Sequence, residues 1–170
     1  MTQPSFEITE KTVDEMLISG VRMKGKYSDC GQGFSKIGKH FGFSICGKPF
    51  CLHYDQEKKE DDADFEACLP VRSAKEVDGI STRLLPGGRC LTLLHLGPYE
   101  NIGDAYRRVK DHITANGIKT RVPSREVYVK GPGMIFRSNP KEVLDGNPVH
   151  DRRVTSSDAA LRIVRRITVR

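Results

Sequence analysis

Glu126 sits in the run Arg125-Glu126-Val127-Tyr128-Val129, where polar residues alternate with apolar or aromatic ones. The two-residue period of a strand turns its carboxylate away from Val127. A carboxylate on the floor of an aromatic pocket is poorly served by water, so it can pair with a cationic ligand whose body stacks on the rings. On a solvent-facing edge strand the same residue would be an ordinary surface glutamate, the commoner fate of a strand glutamate. Tyr27, Tyr54, Tyr99 and Tyr128 offer rings for such a pocket. Tyr106 falls on the apolar face of a helical segment, where core packing is its expected role.

A second set is Cys46, Cys51 and His53. A metal would want thiolate and imidazole ligands, but neither a fourth ligand nor a recognised spacing accompanies these three, so no metal or other cofactor is expected. Cys51 and His53 share one side of a strand, which a nucleophile pair requires; nothing in the sequence orients the imidazole, and alternation places such pairs by chance. His95 interrupts an apolar strand and reads as a hydrogen-bonded or pocket-edge residue rather than a general base.

The elements that must position these groups are legible. Cys90 to Leu96 is an apolar run bounded by Pro86-Gly87-Gly88 and Gly97-Pro98, hence a strand. Ile102, Ala105, Tyr106, Val109 and Ile113 then recur at three and four residues along one helical face. Asn101 is the expected N-cap, and Asn116-Gly117 can take the left-handed conformation that closes the last turn. After Pro123 comes the Glu126 strand. Earlier, Phe6 to Tyr27 reads as extended with a bend near Asp14. Cys30, Phe34, Ile37 and Phe41 line a second helix, with Asp29 and Gln32 at the spacing of a capping box. Phe50 to Tyr54 reads as a strand with Phe50, Leu52 and Tyr54 on one side. Phe65 to Val71 and Ile80 to Leu85 complete the set, separated from it by a charged loop over 55–64.

The two halves repeat one another. Gly25-Lys26-Tyr27 matches Gly97-Pro98-Tyr99 at an offset of 72 residues, and Pro49 to Tyr54 matches Pro123 to Tyr128 at 74. This predicts a duplicated β-α-β-β unit over about 6–75 and 76–144, with helices on one face of antiparallel strands, an α+β layout.

Leu85-Pro86-Gly87-Gly88-Arg89 before a strand, His95-Leu96-Gly97-Pro98-Tyr99, Ala105-Tyr106 in the helix and Glu126-Val127-Tyr128 together resemble the gyrase-inhibitor-like (GyrI-like) family, which includes the effector-binding domains of AraC-type and MerR-type regulators. The resemblance covers about residues 6 to 144. It implies two β-α-β-β units about a pseudo-twofold axis, a groove between them for lipophilic, often cationic molecules, and Glu126 in that groove. It also brings DNA gyrase or a regulator protein into view as partners, and a hydrolase of reactive cyclopropane-bearing compounds as an alternative use of the same groove. The sequence departs from the family where Met134 to Lys141 is followed by Asp145-Gly146-Asn147-Pro148 instead of the usual closing strand. Leu161, Ile163, Ile167 and Val169 could supply a replacement, and Ser157 to Ala160 could equally start a helix.

Charge decides between partners. The formal net charge is +6, but residues 151–170 hold six arginines and two aspartates, leaving only +2 for the first 150. The body, taken as one domain over 1–150, is nearly neutral, and 151–170 reads as a solvated or disordered basic tail, so direct nucleic-acid binding is not expected. No apolar run approaches the roughly 20 residues that span a bilayer, and the N-terminus lacks a secretory signal. A cytoplasmic protein with five free thiols is the expectation. No helix-turn-helix precedes Phe6, which favours a stand-alone binding module over a transcription regulator.

Overall fold

The computed structural model describes residues 8–97, 102–130 and 161–169. Ten elements follow in order: β1 (Ile8–Val13), β2 (Met16–Gly25), α1 (Cys30–Phe41), β3 (Phe50–His53), β4 (Ala63–Pro70), β5 (Ser81–Leu85), β6 (Gly88–Gly97), α2 (Ile102–Ala115), β7 (Thr120–Lys130) and β8 (Leu161–Val169). All eight strands join one antiparallel sheet in the order β1-β6-β8-β7-β3-β4-β2-β5.

That order is symmetric about the β3–β7 junction. One unit, β2-α1-β3-β4, contributes β3-β4-β2; the other, β6-α2-β7-β8, contributes β7-β8-β6. Each unit's leading strand crosses over, β1 pairing with β6 and β5 with β2. The fold is thus the expected α+β arrangement of two pseudo-symmetric β-α-β-β repeats, with one change of boundary. The closing strand of the second repeat is β8, beyond residue 144. The reading of 151–170 as a solvated tail is therefore corrected for Leu161–Val169, which is wedged between β6 and β7 along nearly its whole length. Residues 131–160, including the Met134 to Lys141 approach to a last strand, lie outside the described residues.

Both helices form where the apolar spacing put them. In α1, Phe34, Ile37 and Phe41 are buried and Cys30 is partly so; in α2, Ile102, Ala105 and Val109 are buried. The α2 terminus closes as a Schellman motif: Ile118 N–H donates to Ile113 O (3.0 Å) and Gly117 N–H to Thr114 O (3.3 Å), with Gly117 at φ 59°. The capping box at Asp29 does not form, because Tyr27–Asp29 is a 3₁₀ turn that already leads into α1 and holds Asp29 in helical dihedrals (φ −79°, ψ −5°). Asn101, the expected cap of α2, lies outside the described residues.

The main core lies between α1 and the sheet. Ile37, Phe65, Ala67 and Leu69 there are at most 1% exposed, and each large side chain so buried contributes roughly 1.5–3 kcal/mol. Gly33 lets the helix come this close, since a Cβ on it would stand 2.6 Å from Ala67 Cβ and 3.2 Å from Met23 Sδ. On the opposite face Ile18, Phe50, Leu52, Cys68 and Leu85 make a second cluster. Because α1 packs on β2 and β4 and α2 on β6, the central strands β3 and β7 pass beneath the gap between the helices. The groove implied by the family resemblance corresponds to that gap.

Candidate functional site

Glu126 lies on β7, between β3 and β8 in the middle of the sheet, and is 1% exposed. Val127 joins the cluster on the far face, so the alternation read from the sequence holds and the edge-strand alternative does not. A buried carboxylate needs donors. Glu126 Oε2 accepts from His53 Nε2 at 3.0 Å and from Tyr128 Oη at 3.4 Å, and Oε1 accepts from Tyr106 Oη at 3.0 Å. These donors come from three elements. His53 ends β3, Tyr106 reaches down from the second turn of α2, and Tyr128 lies two residues along β7 on the same face. The Tyr27 ring, on the 3₁₀ turn before α1, leans on His53 (centroids 4.8 Å apart) and on Phe65 (5.4 Å), while Phe34 meets Tyr128 edge-on at 6.0 Å.

The donors to Glu126 described above are one imidazole and two phenols, and Arg165 of β8 stands opposite it in the strand register. The contrast with the other buried acid is sharp. Glu66, 3% exposed on the far face, accepts from Arg83 through Nη1 (2.6 Å) and Nη2 (2.7 Å), and from Tyr54 Oη at 2.7 Å. Burial disfavours its charge, yet Arg83, Tyr54 and the neighbouring Arg22 together hold its carboxyl below the ordinary glutamate range. Burial and the bond to Glu66 push the Tyr54 phenol up to about 12. Gly20 makes room for this pair, as a Cβ there would lie 2.0 Å from Glu66 Oε1. Glu66 is paired with an arginine within the fold, whereas the hydrogen bonds to Glu126 described above come from a histidine and two tyrosines.

The six residues singled out in the sequence separate accordingly. Glu126, Tyr128 and Tyr27 meet on the helix side of the sheet. His95 is buried on the same side, in register with Tyr128 through Ile163, two strands or roughly 10 Å away. Tyr54 does not join them: it belongs to the Glu66 network, with Arg22 stacked 3.3 Å over its ring. The match of Tyr54 to Tyr128 was one residue out of register, and a one-residue slip reverses the face of a strand side chain. Tyr99 lies outside the described residues. Two residues of the site were passed over. His53 was visible only as a chance neighbour of Cys51, because the group that orients it is 73 positions away. Tyr106 packs against the core as its place on the helix face predicts, and its hydroxyl continues to Glu126.

Two thiols border the site. Cys51 faces the helix side beside Glu126 and is 1% exposed. Its thiol is pushed well above its ordinary range, first by donating to Cys30 and then by burial. Cys30, the first residue of α1 and only partly buried, is lowered by that same bond and by Tyr128. Of the two thiols Cys30 is the more readily ionised, and the buried Cys51, with its thiol pushed up, is poorly suited to act as a nucleophile. On limited treatment of the native protein with iodoacetamide, Cys30 is expected to be alkylated at least tenfold faster than Cys51, Cys68 or Cys90, as read by peptide mass spectrometry. Equal rates would mean the Cys30 environment is not the one described. The described residues contain no group of three metal-ligating side chains.

Among the described residues, no helix is long and apolar enough to cross a membrane. No curated protein matches the sequence at a significant level. In overall structure the chain is similar to the C-terminal domain of EcmrR, with a TM-score of 0.75 at 20% identity over 98% of both chains. It covers only 57% of the EcmrR chain seen in complex with DNA (TM-score 0.74, 20% identity, 96% of this chain). It is also similar to a hydrolase from Listeria innocua (TM-score 0.60, 11% identity, 99% and 94% of the chains). A third relative in fold is SAV2435 bound to tetraphenylphosphonium (TM-score 0.52, 9% identity, 95% and 94%). At these identities the likeness is one of fold. The sequence profile of the GyrI-like small molecule binding domain matches residues 6–142, stopping short of β8, and over that span the chain belongs to the GyrI-like family.

Proposed function

We propose that the protein is a binding module for lipophilic aromatic cations, held in the groove over Glu126, and that it acts by sensing or sequestering them. The observation that carries this reading is a buried carboxylate whose hydrogen bonds come from aromatic side chains, in a fold whose other buried acid is paired with an arginine. A cation entering the groove replaces hydrogen bonds from His53 and Tyr106 with a charge pair in a low-dielectric setting and stacks on Tyr27, Tyr106 and Tyr128. His95 belongs to the edge of that wall in this reading. With Glu126 1% exposed, the ligand reaches it only as an aromatic wall side chain swings aside. SAV2435, a relative in fold, binds a cation of this class.

Glu126→Gln keeps shape and hydrogen bonding while removing the charge. Tetraphenylphosphonium affinity is expected to fall roughly tenfold or more, from a charge pair worth on the order of 1–3 kcal/mol, while neutral triphenylphosphine oxide is hardly affected. Titration of both proteins at two salt concentrations tests this. Equal weakening for both compounds would assign Glu126 a structural role only.

The second reading, a hydrolase of reactive cyclopropane-type compounds, draws support from the His53–Glu126 bond, which could hold and activate a water, and from the hydrolase among the relatives in fold. Turnover discriminates: a binder returns its ligand unchanged, whereas a hydrolase releases product repeatedly. The EcmrR likeness supports a regulator as partner; no feature of the described residues points to gyrase.

A further inference from the structure

Cys30 opens α1 and Cys51 lies in β3, and both belong to the core cluster between that helix and the sheet. The packing brings them together from two directions. Gly33 and Phe34, three and four residues beyond Cys30, share its face of the helix. Gly33 rests on Ala67, the cross-strand neighbour of Cys51 on β4, and Phe34 meets Tyr128 edge-on at 6.0 Å. The start of that helix face therefore comes down over Cys51, and the Cys51 thiol donates a hydrogen bond to Cys30. Cys68, also buried, belongs to the cluster on the opposite side of the sheet.

Thiols already in contact close to the roughly 2.0 Å of a disulfide with little backbone movement. The two also differ in role. Cys30 is only partly buried, and the bond from Cys51, with one from Tyr128, outweighs burial and lowers its thiol below the ordinary range. It is the sulfur that a small oxidant meets and the one that supplies a thiolate. Cys51 is 1% exposed, and its bond to Cys30 and its burial keep it protonated and hidden until Cys30 has reacted.

We propose that Cys30 and Cys51 are an oxidant-sensitive pair, converted reversibly by hydroperoxides into a disulfide that fastens the first turn of α1 to β3 beside Glu126. The Cys30 thiolate attacks one oxygen of hydrogen peroxide, the O–O bond breaks and hydroxide leaves, giving a sulfenic acid. The Cys51 sulfur then attacks the Cys30 sulfur, the S–O bond breaks, and the hydroxyl departs as water with the Cys51 proton. Contact with a strongly electrophilic sulfur compensates for the weak ionisation of Cys51. Both thiols are oxidised to one disulfide, and the peroxide is reduced to water. The pair stands whatever the gap above Glu126 binds, because neither thiol is among the donors to that carboxylate described above.

Peptide mapping of the full chain tests the proposal. The reduced protein is treated with a slight excess of hydrogen peroxide, blocked with N-ethylmaleimide, digested without reductant and analysed by mass spectrometry. A peptide linking Cys30 to Cys51 is expected as the main product and disappears with dithiothreitol, while the exposed Cys46 is recovered mostly as its maleimide adduct. The bridge is expected to raise the melting temperature by roughly 5–10 °C, the effect of closing a loop of this length. In Cys51→Ser, checked for a native circular dichroism spectrum, Cys30 should accumulate as sulfenic acid trapped by dimedone, about fivefold above wild type. Cys51→Ala serves if the serine variant does not fold. The proposal is overturned if no peptide links Cys30 to Cys51, if Cys46 is oxidised first, or if the guanidinium-unfolded chain forms the link at the same rate, so that sequence proximity suffices. Equal sulfenic acid in wild type and variant, or a bridged protein that melts no higher than the reduced one, would overturn it as well.

Discussion

A chain ending at residue 160 is expected to lose cooperative folding. β8 bridges β6 and β7, and its removal deletes the Cys90–Gly97 and Thr120–Lys130 ladders together. Two strands in the middle of the sheet would then face each other across a vacant lane with their backbone groups unpaired, each such buried group costing about 1–3 kcal/mol. Several lost pairs exceed the 5–15 kcal/mol by which a typical domain is stable. The measurement is thermal unfolding by circular dichroism, with a sharp transition for the full chain and none for the truncated one. A truncated protein that melts cooperatively within a few degrees of the full chain would show that β8 is dispensable and that 151–170 is a tail after all.

Glu66→Gln is expected to destabilise the protein by about 2–3 kcal/mol at neutral pH, lowering its melting temperature by roughly 5–10 °C. Breaking a buried ion pair leaves Arg83 with a neutral partner. The cost falls at the low end for such pairs because the Arg83 side chain is 35% exposed and can recover water. The pH dependence gives the effect a signature. The Glu66 carboxyl is depressed in the folded state despite its burial, owing to Arg83 and Tyr54, so its stabilisation is fully present above the unfolded value near about 4.3 and is lost as pH falls through the folded one. The gap between wild type and Glu66→Gln should therefore be widest at pH 6–7 and close progressively below about pH 4. A gap independent of pH would mean that Glu66 acts through packing alone. Because Glu66 and Glu126 lie on opposite faces, the variant should leave the tetraphenylphosphonium titration nearly unchanged, which separates the structural acid from the one assigned to the ligand.

The sequence by itself determined the elements and the facing of most of their side chains. Three- and four-residue spacing marked the buried stripes of α1 and α2. Gly117 marked the end of α2, and alternation turned Glu126 away from Val127. These are properties of one element's own geometry, so neighbouring residues suffice to read them. Recurrence of short motifs at an offset of 72 to 74 residues extended the reading to the duplicated fold. Tertiary structure decided what depends on which strands lie side by side. β8 was recruited across a separation that no local period spans, and pairing rather than composition makes an arginine-rich segment a central strand. Tyr54 and Tyr128, alike in sequence setting, were parted by a one-residue difference in register. Glu66 met Arg83 because both strands flank Gly20, and His53 and Tyr106 met Glu126 because β3, α2 and β7 converge beneath the helix gap. A hydrogen bond reports the position of both partners, and the sequence around either one carries no record of the other.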